Sequence, residues 1–333
     1  MKIIIPMAGM GKRMRPHTLT IPKPLIPVAG KPMVHRLVEE IIKVSGEKVE
    51  EIAFIIGNFG AEVEKKLLDI AKQFGSKGTI YYQDVPLGTA HAIYCAEASL
   101  NGKIVVAFAD TLFDAEFTIE SENEATIWVQ KVQNPESFGV VKVNQNNIIT
   151  DFIEKPKTFV SDLAIIGIYY FKNGDKLKAE LKYLLDNNVV VNGEFQLTDA
   201  LENMKRKGVQ FKPGQVKEWL DCGNKESTLY TNKRMLELKK NEKLISSSAK
   251  IINSVIVEPC TIGDHAIIEN SVVGPHVSIG NNTHIKNTLI KNSIVQTETT
   301  IENSNIENSM IGNNCNVINH ASVINIGDFN TLS

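Results

Sequence analysis

Residues 8 to 16 read Ala-Gly-Met-Gly-Lys-Arg-Met-Arg-Pro, a glycine-rich basic loop directly after the apolar run Ile3, Ile4 and Ile5. Backbone N–H groups without Cβ bulk, set beside fixed cations, suit a phosphate-bearing ligand. Lys2, Lys12, Arg13, Arg15, Lys23, Lys31 and Arg36 all precede the first acidic residue, Glu39. The attraction for anions is therefore local to this segment. Two familiar phosphate loops are excluded. The dinucleotide fingerprint G-x-G-x-x-G finds Met14 where its third glycine should stand, and the P-loop G-x-x-x-x-G-K-[ST] finds Pro6 at its first glycine and Arg13 after Lys12.

The rest of the chain supplies no global charge to compete with that cluster. Among 333 residues the formal net charge is -2, with 43% hydrophobic and 22% charged residues, which is ordinary soluble usage and enough chain for two cores. Neither nucleic acid nor a membrane is expected as a partner. Cys95, Cys222, Cys260 and Cys315 form no C-x-x-C pair, so neither a zinc site nor a disulfide framework is expected, only reduced and mostly buried thiols. No signal-peptide pattern opens the sequence, and no stretch reaches the roughly 20 apolar residues of a membrane helix. A cytoplasmic protein is the expectation.

Two textures divide the elements that must position the loop. Up to about residue 220, apolar runs at 52–56 and 103–108 alternate with amphipathic segments at 33–44, 61–74 and 90–99. Strand, helix, strand at this spacing predicts an α/β domain with a mainly parallel sheet, and ligands of such sheets bind beyond the carboxyl ends of the strands. Runs at 125–132, 138–143 and 164–171 lie closer together and predict an antiparallel or mixed extension. Residues 226–243 read as a helical connector. From Ala249 onward an aliphatic recurs every five or six positions, from Ile251, Ile256 and Ile262 to Val317 and Val323, usually with a small residue two places before it. Three units sum to 16 or 17 residues, so Ile251, Ile268, Ile285, Ile301 and Val317 should stack on successive coils of a solenoid. Coils about 4.8 Å apart give roughly four turns. Asn253, Asn270, Asn287, Asn303 and Asn308 fall at corners that tolerate left-handed backbone.

Nine stretches in order resemble the sugar-1-phosphate nucleotidyltransferases, over about residues 1 to 235. They are the loop at 8–16, Pro22-Lys-Pro-Leu-Ile-Pro27, Gly30-Lys-Pro-Met33, Tyr82-Gln-Asp-Val-Pro-Leu-Gly-Thr-Ala90, Phe108-Ala-Asp110, Phe138-Gly-Val140, Glu154-Lys-Pro156, Gly193-Glu-Phe-Gln-Leu-Thr-Asp199 and Trp219-Leu-Asp-Cys-Gly223. The later repeats resemble hexapeptide-repeat left-handed β-helices. The resemblance implies a Rossmann-like nucleotidyltransferase domain at 1–224, a connector at 225–248 and a short left-handed parallel β-helix at 249–333. It implies transfer of a nucleotidyl group from a triphosphate, dTTP or UTP, to a sugar 1-phosphate such as glucose 1-phosphate, with Mg²⁺ and release of pyrophosphate.

By the same resemblance Arg13, Lys23 and Asp110 are catalytic, and Ala8, Gly9, Gly11, Gln83, Pro86 and Gly88 bind the nucleotide. Gly139, Glu154, Lys155 and Glu194 take the sugar phosphate, while Asp110 and Asp221 hold the metal. Lys12 is read as electrostatic background, and Arg15 and His17 as solvated or at the phosphate rim. Ala8 and Ala109 stand where many members have glycine, Asn192 where some carry arginine, and Asn224 where threonine is frequent. Guanylyl transfer to mannose 1-phosphate, an added acyltransferase using His265, His276, His284 or His320, and a non-catalytic nucleotide-sugar sensor are the alternatives. Exposed aliphatic edges of a short β-helix favour a homo-oligomer.

Overall fold

The β-branched runs of the first half build one nine-stranded sheet. In the computed structural model, which describes residues 1–116 and 118–332, its strands are β1 (Lys2–Pro6), β2 (Glu51–Ile56), β3 (Lys77–Tyr82), β4 (Ile104–Ala107), β5 (Ala125–Lys131), β6 (Gly139–Val143), β7 (Ile149–Glu154), β8 (Leu163–Phe171) and β9 (Phe211–Gln215). The order is β7-β6-β8-β4-β1-β2-β3, with β5 paired to β8 and to β9. Strand β1 runs parallel to both β2 and β4, with Ile3 opposite Ile52 and Val105. By contrast β8 is antiparallel to β4, as the close spacing of the later runs requires. The chain moves outward from β1 to β2 and β3 and returns to β4 beside β1, which makes the β1/β4 boundary a switch point where a crevice opens at the strand ends. Ile3, Ile4, Ile5, Val105 and Val106 are wholly buried, each worth roughly 1.5–3 kcal/mol of hydrophobic stabilisation.

The chain divides into two compact units. The first comprises Met1–Gly9 and Leu37–Trp219, and holds the sheet; the second comprises Met10–Arg36 and Leu220–Ser333. Thus the basic segment after Gly9 belongs to the same unit as the repeats.

In the second unit, helix α1 (Lys225–Leu238) leads to the coils. Asn224 caps it, its Oδ1 accepting from the Ser227 N–H at 2.9 Å while Ser227 Oγ accepts from the Asn224 N–H at 3.1 Å. This closed capping box explains an asparagine at that position. The repeats form three parallel faces of six, five and five short strands. Ile251, Ile268, Ile285, Ile301 and Val317 pair in succession, as the spacing predicts, and Leu332 extends the stack. The solenoid is therefore taller than four turns, because its last coil carries Ile326 and Leu332 beyond Val323, where the aliphatic count stops. Val323 is a second correction: it is 59% exposed, and Ile324, 3% exposed, lies inside. Ile306 pairs with Ser322, sixteen positions on, so Val323 falls one place past the inward position; the next face then closes one residue short, with Ile311 paired to Ile326 fifteen positions on.

Asn253, Asn270, Asn287, Asn303 and Asn308 all have φ between 47° and 50°, the left-handed corners expected of them. Their side chains add ladders between coils, such as Asn287 Nδ2 to Asn303 Oδ1 at 3.0 Å. The small residues serve the same corners: Ser293 Oγ donates to the Lys291 carbonyl and accepts from the Ser309 N–H one coil on.

Ile285 is fully buried between Ile268 and Ile301. Ile285→Ala leaves a cavity that neighbouring coils cannot close, and chemical denaturation should show a loss of about 2–5 kcal/mol.

Candidate active site

Within the first unit, the parallel strands β1 and β4 aim their carboxyl ends the same way. Leaving β1, the Met7 N–H donates to the Ile55 carbonyl at 2.8 Å, and the chain passes to Ala8 and Gly9. A Cβ on Gly9 would meet nothing within 4 Å, so the backbone there faces open space. Leaving β4, the Phe108 N–H donates to Gly167 O at 3.0 Å and Thr111 Oγ1 donates to Ile166 O at 2.8 Å, which fixes the intervening half-buried Asp110. Ala8 and Ala109 keep negative φ, so the alanines cost no strain where relatives of the pattern use glycine.

Gly88 and Gln83 form a second group. Gly88 has φ +110°, and a Cβ would lie 2.5 Å from Phe195 O, so neither the conformation nor the space admits a side chain. The Phe195 N–H donates to Leu87 O at 2.8 Å, and the Ala90 N–H to Phe195 O at 3.0 Å, stitching the segment with Pro86 to the one with Glu194. Gln83 Nε2 donates to Gly88 O at 3.2 Å and lies 3.1 Å from His91 Nδ1, which orients its amide.

Gly139, Glu154 and Lys155 form a third, on paired strands β6 and β7. A Cβ on Gly139 would sit 3.0 Å from Glu154 Oε2. Lys155 adopts φ +40°, an uncommon conformation for lysine, held by its N–H to Phe138 O at 3.1 Å; its Nζ is exposed and 3.9 Å from Glu154 Oε1. Burial pushes the Glu154 carboxyl above the usual carboxylate range, with the charges of Asp199 and Glu194 adding to it and Lys155 opposing. Glu194 closes a tight turn: Val191 and Glu194 exchange N–H···O bonds of 3.0 and 3.1 Å around Asn192 and Gly193, both at positive φ. An asparagine–glycine pair suits that geometry, which accounts for Asn192.

The second unit carries the remaining residues. Gly11 sits at φ +57°, where a Cβ would press at 3.0 Å on both Lys23 Cβ and Thr18 Cγ2, so its absence brings the loop against Lys23. Thr18 Oγ1 donates to Gly11 O at 2.9 Å. Arg13 is exposed on the turn Lys12–Met14, whereas Met14 is buried, its Sδ accepting from Thr228 Oγ1 on α1 at 3.5 Å. Arg13 and Asp221 converge at Gly223, whose Cβ position would lie 3.2 Å from Arg13 Nη2 and 2.9 Å from Asp221 Oδ2. The Gly223 N–H donates to that same Oδ2 at 2.9 Å.

His17 departs from the sequence reading. It is 1% exposed, its Nε2 is 2.9 Å from Asn325 Oδ1, and burial pushes its pKa down, whereas Arg15 and Lys12 are exposed as expected. A histidine among cations reads as a rim residue; only the later coils show what covers it.

Two groups escaped the sequence reading. Asp199 has a buried Oδ2 without a hydrogen-bond partner among the described residues, and burial raises its pKa. It stands in the stretch quoted for Glu194, so that motif was its signal. Asn232, fully buried on α1, accepts at Oδ1 from the Ala29 N–H at 2.8 Å and from Ser278 Oγ at 2.7 Å. No pattern marks an asparagine inside a charged helix as a junction.

Residues 2–237 match the family described as Nucleotidyl transferase, and residues 240–292 match the GlmU-like, C-terminal hexapeptide family. The second match gives the coils their hand, a left-handed parallel β-helix. The chain is 34% identical to the bifunctional protein GlmU of Methanococcus maripaludis over 83% of its own length, and spans 62% of that protein. It is 28% identical to a glucose-1-phosphate thymidylyltransferase of Streptomyces antibioticus, covering 86% of this chain and 84% of the relative. A solved structure of a Bacillus anthracis protein assigned as a glucose-1-phosphate thymidylyltransferase, in complex with sucrose, superposes with TM-score 0.58 at 27% identity, covering 69% of this chain and 93% of that one.

Gly88→Ala adds both the strained φ and the contact with Phe195 O. A loss of about 3 kcal/mol in urea unfolding, with the slope against denaturant unchanged, is expected.

Proposed function

The chain belongs to the nucleotidyl transferase family, and from that premise we propose that it joins a nucleoside triphosphate to a sugar 1-phosphate, releasing pyrophosphate. The observation that carries the reading is the convergence of the Arg13 guanidinium and the Asp221 carboxylate on Gly223, a cation for a phosphate beside a hard oxygen donor for a divalent metal. A sugar phosphate oxygen attacks the α-phosphorus in line; the bond from that phosphorus to the bridging oxygen breaks, and pyrophosphate departs with the electron pair. No proton need move and no covalent enzyme intermediate forms.

Both reactants are anions, so the protein's task is to hold charge and position. Arg13 and Lys23 stabilise the departing pyrophosphate, and backbone N–H groups at Ala8, Gly9 and Gly11 receive phosphate oxygens. Gln83 reads the base with an amide already oriented by Gly88 and His91, in a segment shaped by Pro86. Lys155 grips the sugar phosphate, and Glu154 and Glu194 accept from sugar hydroxyls beside Gly139. No group of three or more metal-ligating side chains gathers among the described residues, a pattern that suits magnesium, which takes one or two carboxylates and completes its shell with phosphates and water. Asp110 and Asp221 would hold the ion, which when bound supplies charge neutralisation at phosphate oxygens.

The Streptomyces antibioticus relative, matched over most of both chains, favours dTTP and glucose 1-phosphate, with UTP as the competing base. The GlmU-like match over 240–292 favours a second reading, added acyl transfer on the β-helix. Against it, His276 Nε2 is engaged by Glu237 Oε1 at 2.6 Å. Val255, Val272 and Leu289 stack in register on the outside of one face at 57%, 36% and 42% exposure, which supports a homo-oligomer. The four free cysteines and the absence, among the described residues, of any helix able to cross a membrane fit work in the cytoplasm.

A pyrophosphate-release assay with magnesium, across five triphosphates and a panel of hexose and hexosamine 1-phosphates, tests the reading. Release with dTTP and glucose 1-phosphate is expected; silence across the panel from folded protein overturns it in favour of a sensor, and consumption of acetyl-CoA with an amino sugar phosphate supports the second reading. Asp110→Asn and Asp221→Asn should each lower kcat at least about 100-fold with the fold intact. Lys155→Ala should chiefly raise KM for the sugar phosphate, by about 10-fold or more.

A further inference from the structure

One face of the β-helix turns its outward side chains to a covering and not to water. Thr261, Ser278, Ile294, Met310 and Asn325 succeed one another in register along it. Of these, Thr261, Ser278, Ile294 and Met310 are at most 6% exposed, although the residues beside them, Ile262, Ile279, Val295 and Ile311, are the ones that face the solenoid core. The covering comes from residues 10–36 and α1 of the same unit. At the first coil, a Cβ on Gly30 would lie 3.3 Å from Thr261 Cβ. At the second, Asn232 joins Ser278 Oγ to the Ala29 N–H.

At the last coil the contact becomes a clamp. His17 Nε2 lies 2.9 Å from Asn325 Oδ1, and Thr20 Oγ1 donates to Asp328 Oδ2. Between them Gly327 packs so closely that its Cβ position is 3.1 Å from both Pro16 Cβ and Pro16 O. His17 and Thr20 flank the turn that follows the one bearing Arg13, and the two turns are tied by Thr18 Oγ1 to Gly11 O. Burial chiefly lowers the His17 pKa, with Lys225 adding to it and Asn325 and Asp328 opposing, and facing the amide oxygen of Asn325 it is Nε2–H that donates.

We propose that Asn325 and Asp328, in the last coil of the β-helix, are positioning residues for the phosphate loop, fixing through His17 and Thr20 the place of Arg13 in triphosphate binding. The proposal rests on the nucleotidyltransferase reading for its kinetic consequence only; its structural consequence stands without it. The repeats then do more than stack: one face serves as the bed of a segment more than 200 residues away in sequence.

The test compares the full chain with Asn325→Ala/Asp328→Ala and with the conservative pair Asn325→Asp/Thr20→Ser, which keeps the acceptor facing His17 and the hydroxyl facing Asp328, whose two oxygens accept from Thr20 and from Asn313. Hydrogen exchange at Met14 and Leu19, whose N–H groups close the two turns, should quicken about 10-fold or more in the alanine pair and stay near wild type in the conservative pair. KM for the triphosphate should rise about 10-fold in the alanine pair, while KM for the sugar 1-phosphate changes less than about twofold. Unchanged exchange overturns the proposal whether or not the protein is active. Faster exchange with unchanged triphosphate KM overturns it too, and an equal rise in both KM values would reduce the clamp to general stability. Should wild type release no pyrophosphate at all, the functional reading fails, and retention of a fluorescent triphosphate by the wild type and its loss in the alanine pair decide the positioning claim instead.

Discussion

On the proposed function, mutual repulsion of two phosphate-bearing reactants is the constraint on which the rest of the site depends. Within water-screened reach, like charges held a few ångströms apart cost on the order of 1 kcal/mol per pair, and several-fold more as the site dries. Fixed cations, backbone N–H groups and carboxylates for a divalent ion are the means of offsetting it. Of the residues proposed to handle charge, Gly11, Arg13, Lys23 and Asp221 fall in the unit that includes the β-helix. Those proposed to recognise the substrates, Gln83, Gly88, Gly139, Glu154 and Glu194, fall in the unit built on the nine-stranded sheet, together with Ala8, Gly9, Asp110 and Lys155, which are also proposed to meet charge.

On that proposal the β-helix shares a unit with the loop that meets the triphosphate. A loop of glycine and long cationic side chains has high conformational entropy, and an unrestrained Arg13 would lose much of its advantage to ordering on each binding event. Packing of Met14 against Thr228, the pinched contact of Gly11 with Lys23, and the clamp at His17 and Thr20 order the loop beforehand. The stacked aliphatic ladder from Ile251 to Leu332 supplies the rigid backing.

Much of this was legible in the sequence where a local rule governed. The solenoid period put Ile268, Ile285, Ile301 and Val317 in the right register, and the corner asparagines in the right conformation, because each coil interacts with its neighbour by the same spacing. The mainly parallel sheet with its antiparallel extension followed from the spacing of apolar runs. What failed depended on contacts between distant segments. His17 was read as a rim residue because its partner Asn325 lies 308 positions on, and Asn232 gave no signal because its partners Ala29 and Ser278 come from either side of it in sequence. Val323 misled for a subtler reason: a period of 16 or 17 admits both Ser322 and Val323, and the partner of Ile306 is Ser322. Asp199 belongs to a legible motif, but the burial of its carboxyl is a property of packing that the motif does not carry.

The proposed roles of the Arg13 guanidinium in meeting charge and of the Gln83 amide in reading the base are most directly measured as base discrimination, the ratio of kcat/KM for the preferred triphosphate to that for its nearest competitor, in Arg13→Lys and Gln83→Ala. Arg13→Lys should lower both values about equally and leave the ratio within about twofold, while Gln83→Ala should reduce the ratio by about 10-fold or more. A ratio that collapses in Arg13→Lys, or survives intact in Gln83→Ala, would contradict those roles.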